Sequence, residues 1–235
     1  MITLLLAARP DTQVENLPPF LAPIGTTTVL GRITSQVLRT PDDTVLLATN
    51  TATIDRWNLN HVVERIAPNI EIVRVQSGTM GATCTALLAI DRIPKSAELL
   101  ILAADEFMTV EYDEILSTLR SAPCDAGVVT FPSWHPRFSY VDLNDGYVVR
   151  AAEKDPISDS ATAGFYWYRK AETFFNGAFE QIRKRDSVNS NYYICPVFNQ
   201  LILDGKRILS YEIGPDQYIP LKTPGDLIAL TKSEQ

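Results

Sequence analysis

The sequence predicts an α/β domain: a mostly parallel central sheet flanked by helices, with a small mixed β annex in its second half. Three observations predict it. Short apolar runs at 2–6, 44–48, 69–75 and 99–103 alternate with helical patterns. Four successive β–α units of this kind call for parallel strands with helices on both faces. After Ala122 the texture changes to short runs rich in Val, Tyr and Phe, joined by turn residues.

Residues 2–6 read as the first strand, since Arg9 and Pro10 interrupt the apolar start too soon for a signal segment. Residues 28–38 look helical, 44–48 form the next strand, and 54–66 a second helix. A strand at 69–75 leads into a helix over 79–90 that opens with small residues. The run Leu99-Leu100-Ile101-Leu102-Ala103 continues through Ala104 into Asp105 and Glu106. An uninterrupted apolar stretch of this length reads as a strand buried on both faces. A helix over 112–121 completes a Rossmann-like layer arrangement. In the annex, strands are expected at 126–131, 138–143, 147–151 and 163–168, with Asn144-Asp145-Gly146 as a hairpin turn. Helices at 171–183 and 192–203 and a strand at 208–213 follow. Thr223-Pro224-Gly225-Asp226 opens a last helix, with proline in the first turn, where its missing N–H costs nothing. No repeat or linker divides residues 1–235, which are expected to form a single domain.

Hydrophobic residues make up 46% of the 235 and charged residues 21%, enough apolar content for a sizeable core. The net charge of −7 argues against nucleic acid and anionic membrane surfaces as partners. No stretch approaches a membrane span. Cys84, Cys124 and Cys195 are widely spaced and odd in number, which points away from disulfides and structural zinc and towards a reducing cytoplasm.

Four constellations are candidates for chemistry. Ligands of open α/β sheets gather beyond the carboxyl ends of the strands, so Asp105 and Glu106 are placed to hold a hard divalent cation and phosphate oxygens; an aspartate there equally serves as a turn cap. The turn after the first strand, Leu6-Ala7-Ala8-Arg9, holds no glycine, and the first glycine of the chain is Gly25. That is a deficit for backbone amides approaching a phosphate. The segment from Gln76 to Thr83 places Gly78 and Gly81 before a helix, which suits an anion and a flat base or ribose, or close packing of helix on sheet. Lys154 stands between Glu153 and Asp155, ahead of Gly164-Phe165-Tyr166; it is either a solvated loop residue or a point charge for a phosphate. The aromatics and amides of Asn191-Tyr192-Tyr193-Ile194-Cys195-Pro196-Val197-Phe198-Asn199 fit a pocket wall or a core.

Taken together and in order, these pieces resemble the sugar-phosphate nucleotidylyltransferase superfamily, and within it the small MobA-like or capsule-cluster NTP-transferase branch. The likeness runs over nearly the whole chain: Pro18-Pro19-Phe20-Leu21-Ala22-Pro23-Ile24-Gly25, the segment 78–89, the strand ending at Asp105, Trp134-His135-Pro136-Arg137-Phe138-Ser139-Tyr140, the segment 152–166, the segment 191–199 and Thr223-Pro224-Gly225-Asp226-Leu227. The Glu153-Lys154 with Gly164-Phe165-Tyr166 piece and the Asn191 to Asn199 piece are the more specific ones.

The resemblance implies a GT-A type sheet and an enzyme that joins a nucleoside triphosphate to a sugar phosphate or similar small phosphorylated acceptor, releasing pyrophosphate. It implies Mg²⁺ on Asp105, with Asp216 as a stand-in for a second carboxylate. Arg9 would partly replace the missing loop beside Ala7 and Ala8, and Gln76, Gly81 and Ala82 would line the base and ribose. Lys154 and Glu153 would meet the acceptor, Gly164 would leave room for it, and Tyr193 and Asn199 would face the pocket. This architecture often dimerises, so a homodimer is one expected assembly. The chain departs from the family at its first loop, which in the family reads like G-x-G-(S/T)-R, and at Phe20, where the family has lysine after proline. Losing one preorganised donor of that kind costs roughly 3–4 kcal/mol of transition-state stabilisation. Two further expectations therefore stand beside the active enzyme: a catalytically inactive binding protein, and a glycosyltransferase that holds a nucleotide-sugar.

Overall fold

A computed structural model describes residues 1–8, 17–76, 78–221 and Asp226. The first half runs β1 (Ile2–Leu6), β2 (Pro23–Ile24), β3 (Thr27–Thr28), α1 (Val29–Val37), β4 (Thr44–Asn50), α2 (Thr51–Arg56), α3 (Leu59–Ile66), β5 (Ile70–Val75), α4 (Ala82–Leu87), β6 (Leu99–Ala103), β7 (Glu106–Met108) and α5 (Tyr112–Ser121). The second half adds β8 (Ala126–Pro132), β9 (Ser139–Asn144), β10 (Tyr147–Glu153), β11 (Ser160–Tyr168), α6 (Ala171–Arg183), α7 (Val197–Leu203), β12 (Ile208–Glu212) and β13 (Tyr218–Pro220).

Nine strands make one sheet in the order β5-β4-β1-β6-β11-β8-β12-β10-β9. The first four are parallel. They carry alternate residues to opposite faces, which explains their continuous apolar runs. Leu5, Leu47 and Leu100 pack with α1, α3 and α5 on one face. Leu4, Leu46 and Ile101 pack with α4, α6 and α7 on the other. A strand covered on both sides has no polar face to show water.

Beyond β6 the expected mostly parallel sheet gives way to a mixed one. β11 pairs antiparallel with both β6 and β8, β12 joins β8 in parallel, and β10 is antiparallel to β12 and β9. β9 also meets β11 through Ala161 and Tyr140, so β11, β8, β12, β10 and β9 curl into a barrel-like closure. The late strands are mixed, as expected, and extend the central sheet itself. The hairpin turn that reverses the chain is the expected one, with Asp145 and Gly146 both at positive φ (50° and 78°).

Three expected helices differ from their patterns, and the one expected over 79–90 is α-helical only at Ala82–Leu87. The helix expected over 54–66 is split in two at Trp57 and Asn58, where Asn58 takes a left-handed φ of 47°. The helix expected over 192–203 begins only at Val197, because the backbone of Tyr192 is taken up elsewhere: its N–H donates to Met80 O (2.8 Å) and its carbonyl accepts from Thr83 N (3.0 Å). Apart from Asp226, which is helical, the expected last helix lies outside the described residues. Among the described residues no helix is long and apolar enough to cross a membrane.

Candidate functional site

In the first four strands the chain steps outward from β1 to β4 and β5, then returns past β1 to lay down β6 on its other side. The crossovers on the two sides of β1 and β6 diverge at that point, leaving a crevice at the carboxyl ends of the strands. A cleft of about 370 Å³ opens there. Leu6 and Ala8 follow β1 into it, and Ala103, Asp105 and Glu106 follow β6. Thr79, Gly81, Ala82 and Thr85 form one wall, while Arg137, Phe138, Ser139, Glu153 and Lys154 form another. Thr162, Gly164 and Tyr166 of β11 and the residues Asn191, Tyr193 and Ile194 complete it.

The first wall is held by a glycine. Gly81 has φ 96°, and a Cβ there would stand 2.5 Å from Tyr192 O and 2.8 Å from Tyr192 N. Only glycine lets residues 191–194 lie against the start of α4, the arrangement that brings Tyr193 to the cleft. Thr79 and Thr85 hydroxyls bond across the turn at 2.8 Å.

At the strand ends, the Asp105 carbonyl accepts from Leu221 N (2.8 Å), and β7 pairs with β13. This places Tyr218 beside the acidic pair. Burial pushes the Tyr218 phenol well above its ordinary value, and the Glu106 and Asp105 carboxylates raise it further. Gly164 sits where the pairing of β11 with β8 shifts register, at φ 66°, and the Glu106 carboxylate occupies the space its side chain would fill. On the floor, the Thr162 and Tyr166 hydroxyls bond at 2.9 Å, and the Ser139 hydroxyl donates to the buried Glu153. Burial drives the Tyr166 phenol up, and Cys195 and then the Glu153 and Glu106 carboxylates add to it.

Lys154 adopts a left-handed φ of 56°, with its N–H donating to Phe138 O (3.0 Å). Its ammonium donates to the Tyr193 hydroxyl at 3.0 Å and lies 5.0 Å from the centroid of that ring. A lysine held at positive φ is strained backbone, of the kind that gathers at functional sites.

The cleft thus gathers Ala8, Gly81, Ala82, Asp105, Glu153, Lys154, Gly164 and Tyr193 of the residues singled out in the sequence. Four others are placed elsewhere. The Asn199 amide spans the backbone of β10, accepting from Ala151 N (2.8 Å) and donating to Ala151 O (2.9 Å), so the expectation that it faces the pocket is corrected. Ala7 is woven into the sheet: its N–H donates to Ala48 O and its carbonyl accepts from the Thr49 hydroxyl. Gln76 is exposed and Asp216 sits in a short turn before β13, and neither lines the cleft. Arg9 lies outside the described residues. Glu106, expected beside Asp105 as a cation ligand, also lines the cleft, while four lining residues had no role assigned from sequence or only a passing one: Arg137, Ser139, Thr162 and Tyr166. For Thr162 and Tyr166 the signal was the alternation of β11, which puts Thr162, Gly164 and Tyr166 on the cleft side; Arg137, ahead of β9, had none.

Among the described residues no three or more His, Cys, Asp and Glu side chains converge as a metal cage. The oxygen donors at the strand ends are Asp105 and Glu106, a set that suits magnesium, which keeps one or two carboxylates and takes its remaining ligands from phosphates and water.

No family model and no curated protein sequence matches the chain. Solved structures do. A nucleoside-diphosphate-sugar pyrophosphorylase from Vibrio cholerae RC9 aligns over 99% of this chain and 100% of its own, with a TM-score of 0.78 and 16% identity. The chain shares its fold with that protein. A UDP-glucose pyrophosphorylase complexed with UDP-glucose aligns over 99% and 97%, with a TM-score of 0.73 at 15% identity. HddC from Yersinia pseudotuberculosis, complexed with GMP-PN, aligns over 100% and 99%, with a TM-score of 0.68 at 13% identity. At these identities the likeness speaks to the fold, and the chemistry rests on the cleft.

Proposed function

We propose that this chain is a nucleotidylyltransferase of GT-A type, moving a nucleoside monophosphate from a triphosphate to a sugar phosphate or similar phosphate, with release of pyrophosphate. The observation that carries the reading is one cleft, at the sheet's switch point, that holds an acidic pair beyond β6 and a strained, inward-held lysine on the opposite wall. The Thr79 to Thr85 wall, free of bulky side chains apart from Met80, takes the base and ribose with Gly81 and Ala82. Asp105 and Glu106 hold Mg²⁺, which when bound neutralises the triphosphate. Lys154 orients the acceptor's phosphate so that its oxygen attacks the α-phosphorus in line. Such a reaction needs mainly positioning and charge stabilisation. Gly164 and the Glu153–Ser139 pair flank the acceptor's remaining body. Asp216 has no part in this reading.

One observation favours a second reading. The Ala7 N–H is committed to Ala48 O, so among the described residues after β1 this amide is not available to a triphosphate. That suits a protein that holds a nucleotide or nucleotide-sugar without cleaving a triphosphate. The experiment is thermal unfolding with ATP, CTP, GTP, UTP and dTTP, each with and without Mg²⁺, alongside pyrophosphate release in the presence of sugar 1-phosphates. A nucleotide at a hundred times its Kd adds about 2.7 kcal/mol. A Mg²⁺-dependent shift with pyrophosphate release that Asp105→Asn abolishes supports the transferase. A shift without release supports the binding protein, and a flat panel without release overturns the transferase.

A further inference from the structure

The wall opposite α4 carries two cations mounted in the same way. The Arg137 guanidinium lies over the Phe138 ring, 4.6 Å from its centroid, as the Lys154 ammonium lies over Tyr193 at 5.0 Å. Among the described residues neither cation is in an ion pair with a carboxylate. The platform under Arg137 is a cluster of packed rings. Phe138 meets Phe131 edge-on at 5.1 Å and Tyr218 at 5.7 Å, and those two rings stack at 4.2 Å. The approach to it is pinned by the Tyr140 hydroxyl donating to His135 O (2.8 Å) and by Phe138 N donating to the same carbonyl (3.2 Å). The two cations are joined through the backbone, since Phe138 O accepts the Lys154 N–H.

We propose that Arg137 and Lys154 form a two-cation clamp for the acceptor's phosphomonoester, with Arg137 supplying a planar fork and Lys154 a point charge. The clamp rests on the proposed function and deepens it by restricting the acceptor. The Phe138 and Tyr193 rings already carry the chain's own cations, and the remaining ring of the cleft, Tyr166, is only 7% exposed, so a quaternary ammonium or amino-alcohol phosphate finds little ring face to stack on. A dianionic phosphate with a hydroxyl-bearing body, set against Ser139, Glu153, Thr162 and Tyr166, fits instead. An arginine in place of a second lysine matters because its fork binds two phosphate oxygens at once.

The test uses the full chain and calorimetric titration with inorganic phosphate, methyl phosphate and choline phosphate, with the five-nucleotide thermal panel run on the same proteins. Arg137 is exposed, so Arg137→Ala is expected to unfold at the wild-type temperature. The clamp predicts that Arg137→Ala weakens inorganic and methyl phosphate about tenfold or more, leaves the nucleotide-induced shift within about twofold, and that Arg137→Lys recovers only part of the loss. Phosphate affinity within twofold of wild type in Arg137→Ala overturns the clamp, and so does an equal loss of nucleotide affinity, which would place Arg137 on the triphosphate. Choline phosphate binding more tightly than methyl phosphate overturns the restriction on the acceptor. Wild-type protein that binds no phosphomonoester overturns the clamp as well; pyrophosphate release, measured separately, then decides whether the transferase reading falls with it.

Discussion

The carboxylate of Glu106 fills the volume that a side chain on residue 164 would need. An ideal Cβ at Gly164 would lie 3.0 Å from Glu106 Cδ and 3.1 Å from Ala103 Cβ, at a φ of 66°. The same position thus serves two ends: it sits where β11 changes register against β8, and it admits an acidic group against the strand in the floor of the cleft.

Replacing Gly164 by alanine is therefore expected to destabilise the chain through both effects. The left-handed backbone alone costs roughly 1–2 kcal/mol for a residue with a Cβ. Because the Glu106 side chain is flexible, part of the steric cost is relieved by its withdrawal. Chemical denaturation of Gly164→Ala, Glu106→Ala and the double variant checks this: the double variant is expected to be more stable than the sum of the singles. Strict additivity would mean that the two residues do not press on one another.

Asn199 is a brace, and its loss is expected to appear in stability alone. Its amide satisfies both polar groups of Ala151, which is 4% exposed. Asn199→Leu leaves that N–H and carbonyl without their partner, at a cost of about 1–3 kcal/mol. Thermal unfolding is expected to fall by roughly 2–10 °C for a chain of this length, with phosphate and nucleotide binding unchanged. A loss of binding at constant stability would return Asn199 to the cleft.

Two consecutive left-handed residues, Asn189 and Ser190 (φ 50° and 61°), join Val188 to Asn191, which exchange both backbone hydrogen bonds. This is the geometry of a two-residue I′ turn, where glycine is favoured at the second position. Ser190→Gly is expected to stabilise the chain by about 0.5–1 kcal/mol, raising the unfolding temperature by roughly 1–4 °C. A lower unfolding temperature would show that the serine side chain outweighs the strain.

Acid sensitivity is expected to centre on Asp43. Burial alone would raise its carboxyl, but bonds from the Met1 α-amino group (2.8 Å), Thr40 N (2.7 Å) and Arg39 N (3.0 Å) outweigh burial and hold it below the usual range. A folded-state value below the unfolded one gives stability that is present above about pH 4 and is lost as pH falls through the folded value. Asp43→Asn is expected to be less stable at pH 7 by about 1–3 kcal/mol. Its deficit should shrink below pH 4, as followed by denaturant midpoints; a deficit constant with pH would remove the carboxylate from the explanation.

Much of this architecture is written in local pattern. The alternation of apolar runs and helical stretches, the strand into Asp105, the helices Tyr112–Ser121 and Ala171–Arg183, and the turn at Asp145 and Gly146 follow from periodicity and turn chemistry, which act over a few residues. The tertiary structure decided what depends on partners far along the chain. It inserted β11 antiparallel beside β6, closed the late strands through Ala161 and Tyr140, and cut a helical pattern short by pairing Tyr192 with Met80 and Thr83. It also turned Asn199 onto β10 and brought Arg137 into the cleft. A buried backbone group must find a partner wherever the fold supplies one, and no local pattern in residues 191–199 or 134–140 states which partner that will be.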